Sequence, residues 1–591
     1  MIFGKNINRY YLKYLPILLL GLAALLGVDY VQLEVPRLYG MVINGANMGV
    51  VEYNGATVPF DMTFLLEHVC NPMLWIIVAM ILGRFLWRVC LFGSGILVET
   101  DIRRRMFSHA KYLSQQYYQV NKVGDLMSLF TNDLETVQDC FGSGILMMAD
   151  AVALGIMALS RMLTMDITLT LLSLLPMGAM LAAAVIVGKY MTIKWEKRQE
   201  AFSALSDFSQ ESFSGIAVIK AFVKEALELS RFRKLNKQNE EINVEYTKLS
   251  AKLHISVQFF IGTVMCVILG YGGYLVYRGV FNAGQLLEFV SYFNAIIWPV
   301  MAVSELIEMR SKGKASMHRI DEFLAAPQDV IDRPDVKDPG LLKGKIELRH
   351  LTFAYPDDAR QPVLEDVSFT IEPGEQVGII GRTGSGKTTL VDLLLRTYNV
   401  PDGTVFLDDH DVNDISIESV RRSAAYVPQD NVLFSDTIEN NVAFAVDDAS
   451  HEAVEQATRL ADVYDNIKDF PLGYNTMLGE RGVTISGGQK QRVSIARALM
   501  KEAPILILDD SVSAVDTATE KVILENLRTT RKGMTTILIA HRITTVEGMD
   551  KILFMDDGKL LDVGTHEELM ARCPAYVNMV ELQKLEEKKE A

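Results

Sequence analysis

The sequence predicts a multi-domain chain: an all-α membrane domain of six helices, followed by an α/β domain built around a P-loop. Three observations carry this reading. The first half of the 591 residues holds six apolar stretches, each near the roughly 20 residues that cross a bilayer. Beyond about residue 343 the pattern changes to alternating strand-like and helix-like runs. A G-x-x-x-x-G-K-T run follows the apolar strand Gln376–Ile380. Apolar residues make up 49% of the chain and charged ones 22%, which fits one apolar and one polar part. The expected boundaries are 1–325 for the membrane domain, 326–343 for a linker and 344–591 for the α/β domain.

The six expected spans are Leu15–Leu38, Pro72–Leu97, Phe141–Leu163, Ile167–Tyr190, Ile255–Val276 and Leu286–Ile307. Spans three and four meet in a tight hairpin near Met165–Asp166. A cleaved signal peptide also begins with basic residues before an apolar run. Here the run continues to Leu38 and no polar mature domain follows it.

Lys5, Arg9 and Lys13 precede span one, and Arg103–Arg105, Lys194–Arg198 and Arg310–Lys314 follow spans two, four and six. The stretch between spans one and two has no Lys or Arg. Both chain ends therefore face the cytoplasm, in a multi-pass protein of the plasma membrane with its α/β domain inside. The polar stretches joining spans two to three and four to five read as helix extensions. Pro327, Pro334 and Pro339 mark the linker.

The net charge of −15 argues against a nucleic acid partner, whose binding surface is basic. The five cysteines are scattered with no CxxC pair, so neither a disulfide framework nor a zinc site is expected.

Gly381, Arg382, Thr383, Gly384, Ser385, Gly386, Lys387, Thr388 and Thr389 form the P-loop and its helix start. The glycines let backbone N–H groups turn toward phosphate oxygens, and the helix N-terminus adds positive potential. Lys387 is expected on the β- and γ-phosphates of ATP and Thr388 on Mg²⁺. About 120 residues later the apolar strand Ile505–Leu508 ends in Asp509, a second expected Mg²⁺ residue. Between them Ser486, Gly487, Gly488 and Gln489 mark another anion-binding helix start.

This combination resembles the ABC transporter family, whose signature is LSGGQ; here Ile485 stands for the leucine. The resemblance implies that Tyr355 stacks on adenine and that Gln429 meets Mg²⁺ and the attacking water. It implies that Asp516, in Ser513–Asp516, belongs to the D-loop and that His541 holds the γ-phosphate. Gly479-Glu480-Arg481-Gly482 resembles a coupling segment of exporters. In the membrane part, Gly124–Ser128, Thr131–Asp133, Glu211–Ile216 and Lys220–Phe222 resemble the family's two cytoplasmic coupling loops.

One residue departs from the family. A glutamate normally follows the Walker B aspartate and activates water; here it is Asp510. Its carboxylate is withdrawn by roughly 1 Å, and a misplacement of that size can cost about 10²-fold in rate. The resemblance implies two such domains meeting head to tail, each ATP lying between one P-loop and the other signature. Asp510 then belongs to a slow site, while the intact signature serves the partner's site. The expected partner is a second, different ABC half-transporter, in a heterodimeric exporter of small hydrophobic or amphipathic compounds. The alternatives are a homodimer tolerating Asp510, an importer built on the exporter fold and a regulatory ATP-binding subunit.

Charges inside spans are costly and are functional or paired. The candidates are Asp29, Glu34, Arg37, Arg84, Arg88, Asp150, Glu288 and Glu305. Either Arg84 and Arg88 pair with Asp29 or Glu34, or the charges line a polar cavity for amphipathic or cationic cargo, with Phe289, Tyr292, Phe293 and Trp298 as candidate walls.

Overall fold

A computed structural model describes residues 5–53, 55–358, 360–479, 485–513 and 515–590. The chain divides into two units, Met1–Lys111 with Val123–Ala326, and Tyr112–Lys122 with Pro327–Ala591.

The first unit is helical. Span one is broken into Leu15–Gln32 and Val35–Met48, because Pro36 has no N–H to continue the ladder. Asn71–Ala110, Leu134–Met165, Ile167–Ser214, Glu225–Tyr277 and Ala283–Ala325 follow. Among the described residues five helical stretches are long and apolar enough to cross a membrane, and on the Ile167–Ser214 helix the apolar run is the shorter Ile167–Met180. The expected hairpin is as tight as predicted: only Asp166 separates its helices, and its carboxylate accepts from the Leu169 amide at 2.6 Å.

The expected helix extensions are present. Those of Ile167–Ser214 and Glu225–Tyr277 pair through Lys194–Glu245 and through Trp195 and Tyr246, with Arg198 4.9 Å from one ring and 5.1 Å from the other. The loop stretches that resemble coupling segments include the short helices Val123–Ser128 and Ile216–Ala221. Between spans one and two lies an unforeseen antiparallel hairpin, β1 (Val50–Tyr53) and β2 (Ala56–Pro59).

The second unit holds two sheets. β3 (Ile346–Phe353), β4 (Leu364–Ile371), β6 (Val405–Leu407) and β7 (His410–Asp411) form an antiparallel sheet ordered β4-β3-β6-β7. The other contains β5 (Gln376–Gly381), β8 (Ala424–Val427), β9 (Ile505–Asp509), β10 (Thr535–Ala540), β11 (Lys551–Asp556) and β12 (Lys559–Gly564), ordered β12-β11-β5-β10-β9-β8. It is parallel except for β11–β12. β9 and β10 are buried along their whole length, as expected of strands covered on both faces. Residues expected as a linker pack on this unit: Lys337 bridges to Ile415, and the Asp332 carboxylate accepts from the Ile417 amide.

Strand order is what builds a site. Register places Asp509 beside Ile539 and Ala540 beside Ile380. The carboxyl ends of β5, β10, β9 and β8 therefore share one edge, the usual ligand edge of a parallel sheet.

Candidate functional site

β5 ends at Gly381 and the chain turns into the Lys387–Leu394 helix. Gly384 and Gly386 hold φ of +83° and +89°, where a side chain would be strained. A Cβ on Gly381 would overlap the Met555 carbonyl of β11. Lys387 is buried, and its Nζ donates to the carbonyls of Gly381 at 3.0 Å and Arg382 at 2.8 Å. Burial holds its ammonium below the ordinary lysine range, against the pull of Asp509 and Asp510. A cation folded back on its own loop carbonyls can be drawn off by a phosphate, whose charge-assisted bond is stronger.

Asp509 is 1% exposed, and its Oδ2 has no hydrogen-bond partner. Burial raises its carboxyl above the usual range, opposed by a bond from Thr388. A buried, under-satisfied carboxylate beside a threonine hydroxyl suits a hydrated cation. The next residue, Asp510, has φ of +47° and donates its amide to the Ile539 carbonyl at 3.0 Å. His541, just past β10, has Nε2 3.8 Å from Asp510 Oδ2. Gln429 follows β8 and is exposed on the same edge. The P-loop, Asp509, Asp510 and His541 thus converge, and Gln429 stands past the end of the edge strand β8 beside β9.

Tyr355 is half-buried, its hydroxyl 2.8 Å from Thr389 Oγ1 and its ring met edge-on by Phe353 and Tyr398. A cavity of about 390 Å³ beside it is lined by Gln119, Gly384, Asp557 and Gly558. The Tyr398 hydroxyl donates to Gln119 Oε1 at 2.7 Å.

Ser486 caps the Gly487–Met500 helix: its hydroxyl accepts from the Gln489 amide, and Gln489 Oε1 accepts from the Ser486 amide at 3.0 Å. Asp516 caps Thr517–Thr530, accepting from the Ala518 and Thr519 amides. Among the described residues no hydrogen bond joins either group to the P-loop. The residues expected at the site thus fall into two groups, one around Lys387 and one on separate helix starts. Glu480, Arg481 and Gly482 lie outside the described residues.

Gln583 was not legible in the sequence. Its Nε2 donates to the His541 carbonyl at 2.6 Å and its Oε1 accepts from the Ile543 amide at 2.8 Å, fixing the His541 turn from a distant helix. No local pattern marks it. Gln119 and Tyr398 were missed for the same reason.

In the membrane unit the expected pairing holds only for Arg84, a charged neighbour of Asp29. Glu34 pairs with Arg161 and, at 3.8 Å, with Arg37. Arg84 donates to Gln32 at 3.2 Å, and Arg88 lies 5.3 Å from the Trp87 ring. Phe289, Tyr292 and Phe293 are buried within the unit, so their role is packing; Trp298 is exposed.

The chain matches the family described as ABC transporter transmembrane region over residues 18–300 and that described as ABC transporter over 364–513. A probable multidrug resistance ABC transporter ATP-binding/permease protein of Bacillus subtilis (strain 168), YheI, is 36% identical, covering 98% of this chain and 97% of that protein. The multidrug resistance-like ATP-binding protein MdlA of Escherichia coli (strain K12) is 35% identical, covering 96% of this chain and 94% of that one. The solved structure of a bacterial Atm1-family ABC exporter with ATP bound has a similar fold, with TM-score 0.75 at 24% identity and 98% of each chain covered.

Proposed function

The chain belongs to the ABC transporter superfamily, as a multi-pass exporter-type protein with a cytoplasmic nucleotide-binding domain, and we propose that it is the slow-site subunit of a heterodimeric exporter of small hydrophobic or amphipathic compounds. The observation that carries this reading is Asp510, a short carboxylate at the catalytic position, in a chain whose Ser486–Gln489 signature is intact. The multidrug names of the two relatives support the cargo class.

In this reading Lys387 leaves its loop carbonyls for the β- and γ-phosphates of ATP, and the amides of Gly384–Thr389 cradle them. Tyr355 takes the adenine face. Thr388, Asp509 and Gln429 would hold Mg²⁺, which neutralises phosphate charge when bound. Asp510 orients water and His541 holds the γ-phosphate. Because Asp510 is shorter than glutamate, nucleotide stays longer here than at the partner's site. The Ser486–Gln489 helix start and Asp516 act across the dimer, on the partner's nucleotide.

The test is ATPase activity of the purified chain in lipid, alone and with a complementary half bearing a catalytic glutamate. Turnover is expected only in the mixed assembly. Robust turnover by this chain alone would refute the heterodimer. ATP-dependent uptake by inside-out vesicles gives the direction.

A further inference from the structure

At the cytoplasmic side of the membrane unit a short helix lies against the end of the second span. Lys5–Lys13 buries Ile7 and Tyr10, and Tyr14 follows it, directly before the Leu15 that opens span one. Lys13 and Tyr14 both hold Asp101 of the Asn71–Ala110 helix, the tyrosine hydroxyl donating at 2.9 Å. Asp101 therefore stands level with the start of span one. One turn further on, Arg105 Nη1 donates to the Tyr10 hydroxyl at 3.3 Å. A turn of four residues at 1.5 Å each sets Arg105 about 6 Å to the cytoplasmic side of Asp101, which is headgroup depth.

A cavity of about 350 Å³ opens at this level, lined by Arg104, Arg105, Ser108, His109 and Leu324. Arg104 and Ser108 are one turn apart, as are Arg105 and His109, so the four share one strip of the helix. Leu324, from Ala283–Ala325, is the apolar wall. The His109 ring meets Phe323 edge-on at 5.7 Å, and among the described residues its Nε2 has no hydrogen-bond partner. The two carboxylates of the Asn71–Ala110 helix are already held, Asp101 by Lys13 and Glu99 by Arg103. No carboxylate is among the lining residues.

Two guanidiniums, a hydroxyl and an imidazole around one opening select an oxyanion, and the guanidinium fork fits phosphate bidentately. Depth decides the source. Anionic headgroups are concentrated in the cytoplasmic leaflet, and basic pockets between helices on that side hold them. Leu12, on the short helix, is 74% exposed, and Leu324 lines the cavity, so apolar surface flanks the cations as a lipid requires.

We propose that Arg104, Arg105, Ser108 and His109 bind the phosphate headgroup of an anionic phospholipid, which clamps the Lys5–Lys13 helix to the end of span two. The site depends neither on the cargo of the transporter nor on its partner half.

The experiment uses the full-length assembly purified in a neutral detergent. Its thermal unfolding is titrated with dioctanoyl phosphatidylglycerol, with dioctanoyl phosphatidylcholine and with glycerol phosphate. The phosphatidylglycerol is expected to raise the melting temperature with half-saturation at least about 10-fold below that of either other probe. Arg104→Gln and Arg105→Gln should each raise that half-saturation about 10-fold, the loss of one charge-assisted contact. Arg103→Gln, which does not line the cavity, should leave it unchanged. Arg105→Gln also gives up the Tyr10 bond; if it fails to assemble, Arg104→Gln decides alone. Equal stabilisation by the two phospholipids would overturn the proposal, since headgroup charge would then count for nothing. Stabilisation by glycerol phosphate at the same concentration would make this a site for soluble phosphate and overturn the lipid. An equal loss in Arg103→Gln would mean diffuse attraction to a basic surface and overturn the pocket, as would an unshifted half-saturation in Arg104→Gln.

Discussion

Oδ2 of Asp510 stands 3.8 Å from Nε2 of His541, and Asp510 holds a left-handed backbone with φ of +47°. Aspartate is among the few side chains that adopt this region readily. The residue is therefore suited to its turn, and in the function proposed above it is one methylene short for the catalytic position.

With the partner's catalytic glutamate replaced by glutamine, so that only this site can turn over, Asp510→Glu should raise ATPase activity by about 10- to 100-fold, the scale set by a 1 Å correction of a catalytic group. The longer side chain in a left-handed position should cost about 1 kcal/mol of stability. Steady-state phosphate release and thermal unfolding read the two effects. An unchanged rate would show that Asp510 does not limit hydrolysis.

Lys387→Ala should weaken Mg-ATP retention at least about 10-fold, since a charge-assisted phosphate contact is lost. It also frees the Gly381 and Arg382 carbonyls, so the empty loop should exchange its amide hydrogens faster. Equilibrium binding of a fluorescent ATP analogue and hydrogen exchange test both.

Asp133 is 4% exposed and accepts from Ser316 Oγ at 2.7 Å and Arg319 Nε at 3.0 Å, tying the start of the Leu134–Met165 helix to the cytoplasmic end of Ala283–Ala325. Asp133→Ala should destabilise the membrane unit by about 1–3 kcal/mol, discounted for the half-exposed Arg319. Arg319→Gln in the same background should cost little more, because the two changes share one interaction. Additive losses in thermal unfolding would contradict the coupling.

His451 Nδ1 lies 3.0 Å from Glu439 Oε1, and that bond raises the imidazole above its ordinary value near 6.5. The folded form therefore prefers the proton. Its stabilising contribution is complete below about pH 6.5 and is lost as pH rises through the higher folded value. His451→Gln should lower the melting temperature at pH 6 and leave it nearly unchanged at pH 9. An equal drop at both would assign the loss to packing against Tyr474, whose ring lies 5.1 Å away.

The spans, the P-loop, Asp509 and the Ser486 helix start were legible because each is a local pattern. A bilayer demands a long apolar run, a phosphate demands glycines before a lysine, and a helix start demands a capping hydroxyl. The β1–β2 hairpin was not legible, because four-residue strands carry too little period to count. The Glu34–Arg161 pair escaped notice because its partners are far apart in sequence and meet only through helix packing.

The sequence by itself determined which chemical groups the chain carries and that one part lies in lipid and the other in water. Tertiary structure decided their company. Setting β10 between β5 and β9 brought His541 to Asp510 and left Asp509 Oδ2 unpartnered. The reason is physical: local propensity acts over a few residues, whereas strand order and helix contacts minimise exposed apolar surface over the whole chain.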